Sequence, residues 1–153
     1  MSLALILAAA ALVTATPSTT AQAPRACASY VDQTWDEPVR AAAAADCVFS
    51  EAAQTKGAEA WANAAAEDVA LPGIVGRQQL RQAFEKTYAQ KGFRLSWHPT
   101  GGAVYAGYVV TTGEYERHIL NAGGNDEVSH GHYVTVWHRQ KDGAYRFVWD
   151  GGE

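Results

Sequence analysis

A change of hydrophobic period near Gly92 constrains this chain more than any other feature. Before Gly92, apolar residues recur every three or four positions, which is typical of amphipathic helices. After Gly92, apolar and polar residues alternate, which is typical of half-buried strands. A chain of 153 residues is long enough for one core. The pattern predicts one α+β domain, with its helices packed on one face of an antiparallel sheet.

Three N-terminal helices are predicted. The first begins at Asp36-Glu37-Pro38, where a capping carboxylate is followed by a proline in the first turn, and it ends at Gly57. The second spans Glu59 to Val69, and the third carries apolar residues at four-residue spacing from Leu80 to Tyr88.

The second half of the chain is predicted to form an antiparallel meander. Pro99-Thr100-Gly101-Gly102 is predicted to break the first strand, and Asp142-Gly143 to turn the chain into the last one. The predicted strands are Phe93 to His98, Ala103 to Tyr105, Tyr108 to Leu120, Glu127 to Gln140 and Ala144 to Gly151.

Alternation divides the long strands into two faces. The first face is mostly aromatic and is predicted to meet the helices, because the second carries charges that are costly to bury unpaired. Large rings on a curved sheet also predict a cavity. The first face contains Val109, Thr111, Gly113, Tyr115, Arg117, Tyr133, Thr135, Trp137, Tyr145, Phe147 and Trp149. The second contains Val110, Thr112, Glu114, Glu116, His118, His130, His132, Val134, Val136, His138, Arg146, Val148 and Asp150.

Eight side chains are predicted to contact a small hydrophobic or polar-tipped ligand in this cavity. The alternative for the tryptophans is a plain core, and the alternative for the tyrosine hydroxyls is a backbone hydrogen bond. Arg117 lies near a loop, so its guanidinium has water as an alternative to an anionic ligand. The predicted ligand-binding residues are Trp61, Trp97, Tyr115, Arg117, Tyr133, Thr135, Trp137 and Trp149.

The histidines of the polar face suggest an alternative site. His130-Gly131-His132 places two imidazoles on one strand face, and a symmetrical hairpin register puts His118 and Glu116 opposite them. Such a set is able to hold zinc. A solvated polar face explains the same residues, and the prediction is that the chain binds no metal and no other cofactor.

Residues 1–23 are predicted to form a signal peptide. Leu3 to Val13 is an unbroken apolar run, and Ala21-Gln22-Ala23 fits the small-x-small rule for cleavage, although no Lys or Arg precedes the run. Cleavage after Ala23 predicts a periplasmic or secreted protein. Residues 24–44 are then an N-terminal extension that includes the start of the first helix.

Export bears on the two cysteines. In an oxidising compartment, Cys27 and Cys47 close a loop of about 20 residues. The alternative is a buried Cys47 with a free Cys27.

Charge and hydropathy exclude two classes of partner. The net charge of −4 comes from interspersed acidic and basic residues without a basic stripe, so nucleic acid is not a predicted partner. No apolar run reaches the roughly 18 to 20 residues of a membrane span, and the mature form is predicted to contact no membrane.

A series of short motifs runs in order through most of the chain. They are Ala45-Asp46, Gly57-Ala58-Glu59-Ala60-Trp61, Glu67-Asp68-Val69-Ala70-Leu71, Gly76-Arg77-Gln78-Gln79-Leu80, Phe93-Arg94-Leu95-Ser96-Trp97, Thr111-Thr112-Gly113-Glu114-Tyr115, Gly131-His132-Tyr133-Val134-Thr135-Val136-Trp137, Asp142-Gly143 and Asp150. Together they resemble the DUF4440 and SnoaL-like branch of the nuclear transport factor 2-like (NTF2-like) superfamily. The resemblance implies that residues 45–153 form a cone-shaped α+β domain with a pocket between sheet and helices, and that two copies pair through the outer face of the sheet.

The superfamily contains enzymes and binding proteins, so the resemblance leaves function open. In ketosteroid isomerases a catalytic Asp follows the second helix, and a Tyr with a protonated Asp forms an oxyanion hole. Here Leu71-Pro72-Gly73-Ile74 follows that helix and contains no carboxylate. Asp68, Tyr115 and Tyr133 are the candidate catalytic residues, and capping of a turn is the alternative for Asp68.

The predicted function is an exported small-molecule-binding domain with an aromatic-lined pocket. The first alternative is an isomerase, dehydratase or hydrolase similar to SnoaL or ketosteroid isomerase, which requires an ionisable group with a perturbed pKa inside the cavity. The second alternative is a dimerisation or assembly module that uses the outer-face valines, residues 110, 134, 136 and 148.

Overall fold

A computed structural model describes residues 26–153. The predicted signal peptide, residues 1–23, and the first two residues of the predicted extension lie outside the described residues. The α-helices are α1 (Glu37–Lys56), α2 (Ala58–Ala64) and α3 (Gly76–Tyr88), and a 3-10 helix (Cys27–Tyr30) precedes them. The strands are β1 (Ala70–Leu71), β2 (Ile74–Val75), β3 (Arg94–Tyr105), β4 (Tyr108–Leu120), β5 (Asp126–Arg139) and β6 (Tyr145–Gly152). Among these described helices, none is long and apolar enough to cross a membrane.

The helical half differs in detail from the three predicted helices. The second helix ends at Ala64 and not at Val69 as predicted. The backbone of the next residues bonds to β6 instead: Ala65 forms a bridge with Phe147, and the Ala66 N–H donates to the Phe147 carbonyl at 2.8 Å. The unpredicted β1–β2 hairpin then leads into α3.

The large sheet is a four-stranded antiparallel meander in the order β3-β4-β5-β6. The predicted break at Pro99 to Gly102 is wrong. Strand β3 runs through this segment, and only the register of its pairing with β4 shifts, between Pro99 and Gly101. A bulge therefore takes the place of the predicted gap between two strands.

A second bulge lies in β6. Val136 pairs with Trp149 and Trp137 pairs with Phe147, so Val148 has no partner on β5. One extra residue reverses the faces of the side chains that follow it. Trp149 therefore lies on the outer face, 39% exposed, while Asp150 lies on the inner face opposite Thr135. The predicted faces of Trp149 and Asp150 are wrong.

Helix α1 covers the edge of the sheet at β3. The Ser50 hydroxyl accepts the Trp97 N–H at 3.1 Å and donates to the Trp97 carbonyl at 2.7 Å, so polar groups of an edge strand are satisfied. Phe49, beside Ser50, lies at the centre of the core. Its ring centroid is 4.7 Å from that of Trp97 and 5.4 Å from that of Phe147.

Cys27 and Cys47 form a disulfide, with their Cα atoms 5.3 Å apart. The bond links the 3-10 helix to the middle of α1. Of the two alternatives that the sequence leaves open, the structure therefore contains the disulfide.

Candidate functional site

A cavity of about 260 Å³ lies between the inner face of the sheet and helices α2 and α3. This volume is slightly below the range of roughly 300 to 1,000 Å³ typical of ligand pockets, so it suits a small molecule. Its wall is mainly aromatic and aliphatic. The lining residues are Trp61, Phe84, Thr87, Gln90, Phe93, Leu95, Trp97, Tyr115, Arg117, Ile119, Tyr133, Asp150 and Gly152.

The helical wall of the cavity is a fixed aromatic stack. The rings of Trp61 and Phe84 stack with their centroids 3.5 Å apart, and the Trp61 indole N–H donates to the Tyr88 hydroxyl at 3.3 Å. Trp97 on β3 is buried and completes this wall. Because these indoles are held by both packing and hydrogen bonds, the wall is preformed.

Asp150 is the acidic group of the cavity lining. The bulge in β6 turns its side chain inward, and the Thr135 hydroxyl donates to its Oδ2 at 2.6 Å. Burial raises the pKa of Asp150 to about 7, the Thr135 hydrogen bond opposes this, and the charge of Asp46 adds to it. Near neutral pH the carboxyl is therefore able to donate or to accept a proton.

Tyr133 contributes its ring to the cavity, and its hydroxyl donates to Asp46 Oδ2 at 2.8 Å. Burial and the neighbouring Asp46 raise the pKa of Tyr133, so its phenol stays protonated. Because the Tyr133 proton is already engaged by Asp46, this hydroxyl has no proton to donate to a ligand.

Tyr115 and Arg117 lie at the open end of the cavity on β4. The Tyr115 ring covers Gly131 on β5, where a Cβ atom would be 2.6 Å from the Tyr115 hydroxyl oxygen. The Tyr115 hydroxyl makes no hydrogen bond to another side chain of residues 26–153 and is free to meet a ligand. Arg117 is exposed and donates from Nε to the Ser129 hydroxyl at 3.1 Å.

Five of the eight predicted ligand-binding residues line the cavity, and the binding role of all eight stays a prediction. Thr135 lies behind Asp150, and Trp137 belongs to the core, where its indole N–H donates to Thr111. Trp149 is on the opposite face of the sheet. The five in the lining are Trp61, Trp97, Tyr115, Arg117 and Tyr133. Of the candidate catalytic residues, Asp68 lies in an exposed turn outside the lining.

Two acidic residues at the site were not predicted there. Alternation predicts Asp150 on the outer face, because a bulge leaves no clear trace in the alternation of residues. In the sequence, Asp46 stands out only as part of the Ala45-Asp46 motif. Its position on the inner side of α1, at helical spacing with Val39, Ala42, Phe49 and Ala53, is a signal that it is buried.

The histidines lie on the outer face, as alternation predicts. The pairs across β4 and β5 are Glu116 with His130 and Glu114 with His132. The symmetrical register of the zinc alternative, which puts His118 opposite His130, is therefore wrong by two residues. His118 contacts Glu116 and Asp126, both at 2.8 Å, and these carboxylates raise the pKa of His118. Within residues 26–153, no group of three or more His, Cys, Asp or Glu side chains is arranged to hold a metal ion.

Because the Asp150 carboxyl is partly buried, the free energy of unfolding is expected to depend on pH. The pKa of about 7 lies above the usual 3.8, so between about pH 4 and 7 the folded state retains a proton that the unfolded chain has released. The free energy of unfolding therefore falls as pH rises through this interval and levels off above it. Between pH 5 and 8, wild type should lose about 2 kcal/mol more than Asp150→Asn in urea denaturation.

Asp68→Asn is the matched control, since it removes an exposed carboxylate. It should retain the wild-type slope of stability against pH. Equal slopes in wild type and Asp150→Asn would contradict the inward position of Asp150.

The fold is similar to that of three solved structures at low sequence identity. A ketosteroid isomerase-like protein from Erwinia carotovora atroseptica superposes with a TM-score of 0.66 and 16% identity, over 77% of this chain and 96% of that chain. An NTF2-like superfamily protein from Salmonella enterica gives 0.59 and 13%, over 73% and 87%. A protein from Catenulispora acidiphila in complex with S-DNPA gives 0.59 and 15%, over 74% and 90%.

Sequence comparison adds no closer relation. No protein-family model matches the chain, and no curated protein matches it. The branch named from the motifs, DUF4440, is therefore not shown. The chain has the fold of NTF2-like and ketosteroid isomerase-like proteins.

Proposed function

We propose that the chain binds a small, mainly apolar organic molecule in the cavity, with Asp150 contacting the polar group of that molecule. The observation that carries this proposal is a partly buried carboxyl facing a cavity otherwise lined mainly by rings and aliphatic side chains. Ligand pockets commonly combine an apolar wall with a few polar groups that fix orientation. The neighbour in complex with S-DNPA supports this use of the fold.

The charges around the cavity favour a neutral polar group on the ligand. Asp150 lies in the wall and Asp46 lies beneath it, so a carboxylate placed deep in the cavity would meet two acidic groups. A protonated Asp150 is a donor to a carbonyl oxygen, and an ionised Asp150 is an acceptor for a hydroxyl. We therefore expect a ketone, an aldehyde or an alcohol rather than an acid.

An enzyme that moves a proton on a bound carbonyl compound is the second candidate function. Its specific support is Asp150, whose pKa of about 7 suits general acid–base catalysis, and the ketosteroid isomerase-like neighbour is consistent with it. Ionised Asp150 would take the proton from the carbon next to the carbonyl, and the C–H electron pair would pass into an enolate. The Tyr115 hydroxyl would donate to the enolate oxygen, and Asp150 would return the proton to carbon.

We further propose export and a homodimer. Export is supported by the apolar run of residues 3–13 and by the Cys27–Cys47 disulfide, since disulfides persist mainly in oxidising compartments. The homodimer is supported by large apolar side chains on the outer face of the sheet, which a second copy would cover. These exposed side chains are Tyr108, Val128, Val134 and Trp149.

Native mass spectrometry of the protein from its own host is expected to show a retained small molecule. The same spectrum reports the two further proposals, because a dimer doubles the mass and signal cleavage removes residues 1–23. Cyclohexanone and benzoate, added to the ligand-free protein, should shift NMR signals of Tyr115 and Trp97 with cyclohexanone only. No retained molecule and no shift with either probe would contradict binding.

The enzyme candidate is tested by a separate measurement with the same probe. In D₂O, wild type should accelerate deuterium incorporation next to the carbonyl of cyclohexanone, and Asp150→Asn should reduce that rate about 100-fold. Asp68→Asn is the control. Binding of the probe with equal exchange rates in all three proteins would exclude proton transfer and leave the binding function in place.

A further inference from the structure

Asp46 is a fully buried carboxyl group beneath the cavity. It lies in the middle of α1, with no exposed surface, and it is absent from the cavity lining. Three side chains donate to it: the Trp97 indole to Oδ1 at 2.8 Å, and the Thr111 and Tyr133 hydroxyls to Oδ2 at 2.9 and 2.8 Å. Burying a carboxyl costs free energy, and three donors from three different strands are needed to offset that cost. The position of Asp46 therefore requires an explanation.

We propose that Asp46 is the positioning residue of the cavity: it holds the wall residues Trp97 and Tyr133 from beneath and acts electrostatically on the carboxyl of Asp150. The proposal rests on the proposed function in one respect, because it concerns the group that is to contact the ligand. Asp46 itself does not reach the cavity and therefore does not touch the ligand.

The hydrogen bonds around Asp46 run toward its carboxyl oxygens. An indole N–H is a donor only, so Trp97 must donate. The Thr111 oxygen accepts the indole N–H of Trp137 at 2.8 Å, which leaves the Thr111 proton for Asp46. With Tyr133 as third donor, the arrangement suits an ionised carboxylate, although burial raises the pKa of Asp46.

The first consequence concerns the wall. Trp97 and Tyr133 both line the cavity, and each is tied to a different oxygen of the Asp46 carboxyl. Their rings are therefore held in one relative orientation by a single group on α1. Because its proton is committed to Asp46, the Tyr133 hydroxyl offers a ligand only an acceptor.

The second consequence concerns the charge at Asp150, because neighbouring hydroxyls hold the two carboxyls. Thr111 donates to Asp46, Thr135 donates to Asp150, and Thr111 pairs with Thr135 across β4 and β5. The titratable or charged groups that face Asp150 are Asp46 from α1, Tyr133 from β5, and Tyr115 and Arg117 from β4 at the open end. Helix α3 contributes only neutral lining residues there. A negative charge on Asp46 disfavours a second negative charge on Asp150, so the proton on Asp150 is retained to higher pH.

The test is a ¹³C carboxyl NMR titration without ligand. The Asp150 signal, identified by its loss in Asp150→Asn, should titrate near pH 7 in wild type. In Asp46→Asn the pKa of Asp150 should fall by about one unit, which raises its ionised fraction at pH 7 from about half to about nine-tenths. Asp68→Asn, which removes an exposed carboxylate, should leave the pKa of Asp150 unchanged.

An Asp150 pKa that is unchanged or raised in folded Asp46→Asn would overturn the proposal. A merely structural Asp46 would alter the free energy of unfolding without moving this titration. If Asp46→Asn does not fold, Tyr133→Phe is the second variant, since it removes one donor and keeps both carboxyls. Loss of that donor should raise the pKa of Asp46, and an unchanged value would overturn the proposal as well.

This outcome is separate from the outcome for the proposed function. No ligand takes part in the titrations, so a chain that binds neither a host molecule nor cyclohexanone can still show the coupling. Conversely, ligand binding with no change of the Asp150 pKa in Asp46→Asn would leave the binding function standing and remove the role of Asp46.

Discussion

Cys27→Ala/Cys47→Ala is expected to unfold with a free energy about 3 kcal/mol below that of wild type. The disulfide closes a loop of 20 residues in sequence separation, and its loss returns conformational freedom to the unfolded chain. It also frees the 3-10 helix from α1. Urea denaturation followed by tryptophan fluorescence measures the difference.

Wild type reduced with a phosphine provides the control for this prediction. It should denature at the same urea concentration as the double variant, while the double variant should not respond to the reductant. Equal stability of oxidised wild type and the double variant would contradict a stabilising role of the disulfide.

Gly113→Ala is expected to destabilise the chain by about 3 kcal/mol or more. The Tyr133 ring lies directly over Gly113, where a Cβ atom would be 2.5 Å from the Tyr133 Cζ and closer still to the His98 carbonyl oxygen. The added methyl group must therefore push apart β3 and the tyrosine that donates to Asp46. Urea denaturation measures the loss, and the NMR signal of the Trp97 indole N–H reports the disturbed site.

Gly101→Ala is the matched control, because Gly101 pairs with β4 close to Gly113. Its Cβ atom would be no nearer than 3.3 Å to the Thr112 hydroxyl, a contact that a small shift relieves. Gly101→Ala should lower the free energy of unfolding much less than Gly113→Ala does. Similar losses in the two variants would show that the change of residue type in the sheet, and not the Tyr133 ring, is responsible.

The order of elements was predictable because hydrophobic period is a local property of the sequence. The change of period near Gly92 separates the helices from the sheet, and alternation correctly placed Tyr133 and Tyr115 on the inner face and the histidines on the outer face. The end of α2 was predicted too far along, since its apolar spacing continues to Val69 while the backbone already bonds to β6. Tertiary hydrogen bonds decided that boundary.

The acidic part of the site was not predictable in the same way. Alternation assumes that each residue of β6 has one partner on β5, and the unpaired Val148 breaks this assumption for Trp149 and Asp150. Asp46 carries a local signal, a carboxylate on the apolar side of a helix. Its partners Thr111 and Tyr133 are 65 and 87 residues away, so only the assembled fold identifies what it binds.

The unpaired residue in β6 also makes the chemistry of the pocket depend on pairing register alone. Pairing Val148 with Val136 would slide the end of β6 by one residue, bring Trp149 opposite Thr135 and turn Asp150 outward, so that an indole would close the cavity where a carboxyl now stands. A slip of one residue, without any substitution, would thereby turn a site able to exchange protons into a sealed apolar interior.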